Sequence, residues 1–137
     1  MPSDPELVAE TRSWLVRASE DLRAGAWELR ATPPFTGDAV FHAQQAAEKS
    51  AKAFLTWNSQ PFRKTHSLVT LGDACVALDA TLTEAVQPAA ALTDYVWRYR
   101  YPGQPTDPPA EEAISALAIA QKVFEAVLRR LPPEAAP

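Results

Sequence analysis

The 137-residue sequence contains a single cysteine, four glycines and no long apolar run. The lone Cys75 excludes an internal disulfide framework and a cysteine-rich zinc site. No glycine-rich phosphate-binding loop is present, and no apolar run approaches the ~20 residues that cross a bilayer. One thiol and no secretory pattern in residues 1–10 favour a reducing compartment. We therefore expect a cytoplasmic protein that does not associate with membranes.

The composition is that of an ordinary globular protein, with 47% hydrophobic and 22% charged residues. This balance excludes a disordered or collagen-like chain and supplies enough apolar mass for one core. The length predicts a single domain over residues 1–137, with residues 132–137 as a frayed tail. Two histidines on separate segments do not form a metal site. We predict neither a metal nor a cofactor.

The hydrophobic periodicity is helical almost throughout the chain, with no repeat and no alternating strand pattern. It predicts an all-α antiparallel bundle of about five helices joined by short loops. The expected starts are Asp4 or Ser3, Asp38 or Thr36, Thr65 or Ser67, Thr81, and Pro108–Pro109; the expected ends are Arg30, Trp57, Leu78, Tyr99 and Leu131.

The fourth of these helices carries conflicting signals. Thr81 and Glu84 match a capping box, which marks a helix start. Pro88 follows only a few residues later, and a proline in a helix interior costs ~3 kcal/mol. Either Pro88 kinks this helix or the regular helix begins at Gln87–Pro88.

The net charge is −4, which argues against a general nucleic-acid binder. Two segments are nevertheless basic. Residues 40–66 contain four cations and one acid, and residues 96–106 contain Arg98, Arg100 and no acid. If the two segments meet in the fold, an acidic protein acquires one positive face. The alternative is an ordinary fluctuation of charge along the chain.

Three groups of polar and aromatic residues are candidates for a functional site. On the second helix, His42, Gln45, Lys49 and Lys52 lie on one side, with Gln44 and Glu48 at its edge. A solvated helix surface is the plain alternative. Against it, histidine and glutamine are not preferred on exposed helix surfaces, and the neighbouring alanines let another helix approach closely.

The second group is the segment 63–67, Arg-Lys-Thr-His-Ser, where two cations precede a helix N-terminus. Such a terminus can hold a phosphate, although His66 could merely help to cap the helix. The third group is the segment 95–101, with three tyrosines, Trp97, Arg98 and Arg100. Stacking rings with interleaved cations suit single-stranded nucleic acid or a nucleotide. The same residue types also anchor dimer interfaces.

Four segments in order carry a resemblance to the HEPN-domain family. They are residues 18–22 (Ala-Ser-Glu-Asp-Leu), residues 41–49 with Lys52, residues 65–68 (Thr-His-Ser-Leu) and residues 100–103 (Arg-Tyr-Pro-Gly). The resemblance covers about Trp14 to Leu131. It implies a small all-α bundle that forms a homodimer.

The resemblance also implies two kinds of activity. Many members are metal-independent ribonucleases, often toxins encoded beside a nucleotidyltransferase that acts as antitoxin, and their site pairs an arginine with a histidine four to six residues later. Other members lack that pair and are thought to bind nucleotides or RNA without cutting. Here positions 103–107, which follow Arg98 and Arg100 at that spacing, contain no histidine.

We therefore expect a non-catalytic HEPN protein that binds a nucleotide or RNA and acts with a nucleotidyltransferase partner in a toxin–antitoxin-type system. The predicted ligand-binding residues are Arg98, Arg100, Tyr99, Tyr101, His42, Gln45, Lys49, His66 and Lys64. Two alternatives remain open. One is a ribonuclease toxin in which His42 or His66 reaches Arg100 and replaces the missing histidine. The other is a structural dimerisation module.

Overall fold

The computed structural model describes residues 4–103 and 106–137. Five α-helices follow one another, and the described residues contain no strand. The helices are α1 (Pro5–Arg30), α2 (Thr36–Trp57), α3 (Leu68–Leu78), α4 (Thr83–Val86) and α5 (Ala110–Leu128). Short 3₁₀ helices span Ala80–Leu82, Pro88–Val96 and Pro133–Ala135. The predicted all-α helical bundle is confirmed.

Capping residues explain where two of the helices begin. Asp4 accepts a hydrogen bond from the Glu6 N–H at the start of α1, and Ser67 accepts one from the Thr70 N–H at the start of α3. Helix α2 begins at Thr36, the earlier of its two expected starts. Ser3, the alternative cap of α1, lies outside the described residues.

Helix α2 forms the centre of the bundle, and its alanine side explains how closely its neighbours approach. Its alanines are almost completely buried; they are Ala39, Ala43, Ala46, Ala47, Ala51 and Ala53. Helix α1 packs antiparallel to α2, and α5 covers another side. A Cβ at Gly25 of α1 would lie 2.7 Å from Leu117 of α5 and 3.6 Å from the Ala39 carbonyl of α2. Glycine at this position lets three helices meet.

The extent predicted for the fourth helix, from Thr81 to Tyr99, is wrong. The single turn of α4 stops at Val86, and Pro88 opens a 3₁₀ helix that ends at Val96. Proline lacks the N–H that an α-helix needs and clashes with the carbonyl four residues earlier. Thr81 is not the cap either, because its own N–H donates to Asp79.

The C-terminal region also differs from its prediction. Helix α5 begins at Ala110, just after Pro109, and ends at Leu128 rather than Leu131. The tail expected to fray forms a 3₁₀ helix, with Ala135 fully buried. The Arg12 guanidinium of α1 donates to the Glu134 carbonyl and holds this segment in place. Within the described part of the chain, no helix has the length and apolarity needed to span a bilayer.

Candidate functional site

Arg100 lies at the N-terminal end of α2 and contacts two residues of that helix. Its guanidinium carbon is 3.8 Å from the Phe41 ring centroid, and Nη1 is 3.7 Å from the Asp38 carboxylate. His42 follows on α2 and bonds to Glu28 of α1. We call Glu28, Asp38, Phe41, His42 and Arg100 the Arg100 cluster.

The backbone immediately before Arg100 has an uncommon conformation and packs on α2. Tyr99 has a φ of +67°, a left-handed conformation that is uncommon outside glycine. Tyr99 packs against the first turn of α2, where a Cβ at Gly37 would lie 3.4 Å from the Tyr99 Cβ and 2.9 Å from an Asp107 carboxylate oxygen. The absence of a side chain at Gly37 therefore lets the loop settle on α2.

The histidine of the Arg100 cluster has a defined tautomer. His42 Nδ1 is 2.7 Å from the Glu28 carboxylate. An ionised carboxylate only accepts hydrogen bonds, so Nδ1 carries the proton. Burial raises the pKa of Glu28 above its ordinary value, and Asp38 adds to the rise, while His42 and Arg100 act against it. The negative charge of Glu28 is therefore only partly compensated by His42 and Arg100.

A second cluster lies further along α2, around a buried carboxylate. Glu48 accepts hydrogen bonds from Gln44 Nε2 at 3.1 Å, His66 Nδ1 at 2.6 Å and Lys52 Nζ at 2.9 Å. We call these four residues the Glu48 cluster. Gln44 also donates to the His66 carbonyl at 3.2 Å. The contacts tie the loop before α3 to the centre of the bundle.

The charges of the Glu48 cluster are balanced. Burial acts to raise the pKa of Glu48, but hydrogen bonds from Lys52, His66 and Gln44 outweigh it, and the pKa falls below its ordinary value. The buried Lys52 ammonium also lies 5.5 Å from the Trp14 ring centroid and 5.7 Å from that of Phe62. Rings attract a cation with their negative faces.

The structure separates the three candidate catalytic residues, His42, His66 and Arg100, into two clusters. His42 and Arg100 share one cluster, whereas His66 belongs to the other. Arg100 meets α2 at Phe41 and His66 meets it at Glu48, seven residues or about 10 Å further along the axis. Between them, Gln45 donates to Gln44 Oε1 at 2.6 Å and Lys49 to Asp21 at 2.7 Å.

The remaining predicted residues lie nearer the surface. The Arg98 guanidinium carbon is 5.1 Å from the Tyr99 ring centroid, and Lys64 is exposed. The Tyr101 side chain is exposed over 63% of its area and Trp97 over 53%. Gln104 and Pro105, two of the positions at which the family spacing would place a histidine, lie outside the described residues.

The two basic segments do meet, because Arg100 packs on Phe41 of α2. They do not form a uniformly positive face, since acids pair with three of these six cations, Lys49, Lys52 and Arg100. The alternative of a solvated α2 surface is wrong as well. Gln44 is fully buried, Glu48 is 3% exposed and Lys52 is 7% exposed.

Two acids of α1 are absent from the predicted site residues, yet they pair with residues of that set. Asp21 pairs with Lys49, and Glu28 pairs with His42 and completes the Arg100 cluster. Each pair of residues is seven apart on its own helix, the spacing expected of two antiparallel helices in contact over two turns. This matched spacing is the sequence signal for the α1–α2 register.

The described residues give weaker support to thiol chemistry and to metal binding. Burial raises the pKa of the Cys75 thiol to about 12, which makes it an inert core group. Among residues 4–103 and 106–137, no group of three or more histidine, cysteine or acidic side chains is arranged to hold a metal ion.

A bundle of this kind, with these motifs on α2 and after the 3₁₀ helix Pro88–Val96, is typical of one class of proteins. The family model of the HEPN domain matches residues 11–131, nearly the whole chain. The chain therefore belongs to the HEPN domain family, a family associated with nucleotides and RNA. No curated protein and no solved structure matches it.

Proposed function

We propose that this HEPN protein binds RNA or a nucleotide at the Arg100 cluster and does not cleave it. The observation that carries the proposal is the position of the Arg100 guanidinium, stacked on Phe41 and partly exposed beside exposed aromatic residues. A guanidinium whose carbon lies over a ring keeps its N–H edge clear of that ring, and this edge is the part that holds a phosphate. Tyr101 or Tyr99 would stack a base, and Arg98 would hold a second phosphate.

The length of the bound ligand determines which residues besides Arg100 contribute to its binding. A mononucleotide at Arg100 reaches His42 but not His66, because the two clusters are separated along α2. An RNA strand lying along α2 would pass Gln45 and Lys49 and reach His66 and Lys64. His66→Ala is therefore expected to weaken the binding of an RNA strand and leave the binding of AMP unchanged.

The proposal includes partners that the family suggests. A homodimer would bring two copies of the segment 97–103 into one assembly, and tyrosine, tryptophan and arginine are typical interface anchors. A nucleotidyltransferase encoded with this chain would be its partner in a toxin–antitoxin-type system. Co-expression followed by co-purification tests that partnership.

The direct test is binding of a fluorescein-labelled, mixed-sequence RNA of about ten nucleotides, within the site sizes of single-strand binders. Arg100→Ala is expected to weaken binding by about 1–3 kcal/mol, the scale of a charged hydrogen bond. Arg17→Ala is the matched control, because it removes the same charge from an exposed surface ion pair. Binding must also weaken with salt if phosphates are contacted.

Equal affinity of the Arg100→Ala and Arg17→Ala proteins would contradict the proposal. A protein that dimerises and shows no salt-sensitive binding to RNA or AMP would instead be the structural dimerisation module.

A second candidate function is metal-independent RNA cleavage with His42 in place of the missing histidine. The observation that favours it is the shared cluster of His42, Glu28 and Arg100. Glu28 accepts a hydrogen bond from the His42 Nδ1–H, and this leaves Nε2 to exchange a proton with a substrate. His66 is the weaker candidate, because it lies about 10 Å further along α2.

Cleavage of the same RNA in the presence of a chelator tests this function. An enzyme of this kind loses cleavage in His42→Ala and in Arg100→Ala and retains it in His66→Ala. Cleavage that survives all three substitutions comes from a contaminant.

A further inference from the structure

The anion that faces Arg100 in this structure is a carboxylate of the same chain. Asp38 Oδ1 lies 3.7 Å from Arg100 Nη1, near the long limit for an ion pair, and the Asp38 side chain is 53% exposed. Such an exposed and loosely held pair contributes little to stability. The edge of the guanidinium that would hold a phosphate is thus covered, but not locked.

Two carboxylates share this one permanent cation. Glu28 is partly buried and bonded to His42, and burial together with Asp38 raises its pKa. With neutral His42, the Arg100 cluster carries more negative than positive charge. A phosphate that arrives at this site would be repelled while Asp38 remains on the guanidinium.

We propose that Asp38 is an internal competitor for the ligand phosphate: it occupies Arg100 in the free protein and leaves when RNA binds. This inference rests on the proposed function and adds a self-inhibiting contact to it. Asp38 sets the affinity of the site, because every binding event must first separate the Asp38–Arg100 pair.

Both partners are suited to this exchange. Asp38 is an acidic residue in the first turn of α2, where the helix dipole stabilises its charge with or without Arg100. Arg100 remains in place when the carboxylate leaves, because its guanidinium rests on the Phe41 ring. Displacement therefore requires only the movement of one exposed side chain.

The test compares the affinity of Asp38→Asn and wild-type protein for the fluorescein-labelled RNA at fixed salt. We expect Asp38→Asn to bind about fivefold more tightly, the scale of one exposed ion pair. Asp73→Asn is the matched control, since it removes one exposed negative charge on α3. Thermal unfolding of each variant, followed by circular dichroism, establishes that the comparison is between folded proteins.

The double variant Asp38→Asn/Arg100→Ala separates competition for Arg100 from general repulsion. If Asp38 acts through Arg100, Asp38→Asn gains no affinity in the Arg100→Ala background. An equal gain in both backgrounds overturns the inference, and so does a gain no larger than that of Asp73→Asn. If Arg100→Ala binds like wild type, the proposed site and the competitor are both rejected.

Discussion

His42 and His66 place their Nδ1 atoms 2.7 and 2.6 Å from a glutamate oxygen, but the two glutamates are in opposite electrostatic situations. Glu48 receives two further donors, and its pKa is lowered despite burial. Glu28 has a carboxylate neighbour in Asp38, and its pKa is raised by burial. The first pair belongs to a balanced internal network, whereas the second retains uncompensated charge at a surface.

This difference separates a structural role from a binding role within one helix. The buried members of the Glu48 cluster all have partners, and only the exposed His66 ring at its edge can contact a longer ligand. A cluster with surplus charge, a weak ion pair and a stacked guanidinium can exchange one partner for another. We therefore place ligand binding at the N-terminal end of α2 and fold stabilisation at its centre.

The largest expected effect is at the balanced cluster. Glu48→Gln removes the counter-charge of the buried Lys52, and an unpaired buried charge costs about 3–5 kcal/mol. Urea unfolding should show this loss, with Glu20→Gln as the control at an exposed surface pair. Glu48→Leu combined with Lys52→Met should recover part of the stability, because it removes both charges. Equal stability of Glu48→Gln and Glu20→Gln would contradict the assigned role.

A smaller loss is expected when only the loop is released. His66→Ala removes one of three donors to Glu48 and should lower the free energy of unfolding by about 1 kcal/mol. Lys64→Ala, in the same loop, is exposed and should change it negligibly. Faster proteolysis within residues 58–67 of His66→Ala would support loosening of the loop. Unchanged stability and proteolysis would show that the His66 bond is not needed.

The two glutamates should also give opposite pH dependences. The folded-state pKa of Glu48 is below its ordinary 4.5, so its contribution is complete above that pH and is lost as the pH falls through the folded-state value. The folded-state pKa of Glu28 is above 4.5, so its contribution is present at acid pH and is lost as the pH rises through that value.

Unfolding free energies measured from about pH 3 to pH 7 test these signs, because the slope of stability with pH counts protons. Relative to wild type, Glu48→Gln should lose stability less steeply on acidification. Glu28→Gln should lose it more steeply. The same sign of change in both variants would refute the contrast.

The smallest expected effect is that of Glu28→Gln at neutral pH. The substitution keeps an acceptor for His42 and removes a partly buried charge, so the free energy of unfolding should change by under about 1 kcal/mol, upwards. A loss as large as that of Glu48→Gln would place Glu28 among the structural residues.

The sequence predicts α1, α2 and α3 well, because their caps and apolar spacing are local properties. It fails around Pro88, where a capping box suggested one long helix and proline instead produced 3₁₀ turns. It also misses the ordered tail, since the contact of Arg12 with Glu134 joins residues at opposite ends of the chain.

The candidate site shows the same division. Residue identity and spacing are enough to predict the helical class, the HEPN motifs and the residue types that could bind phosphate. That His42 joins Arg100 while His66 joins Glu48 follows from the packing of the helices and loops. The same packing pairs Glu28 and Asp21 of α1 with His42 and Lys49 of α2. Pairing between charges depends on which helix faces meet, and that is fixed by packing around the alanines of α2.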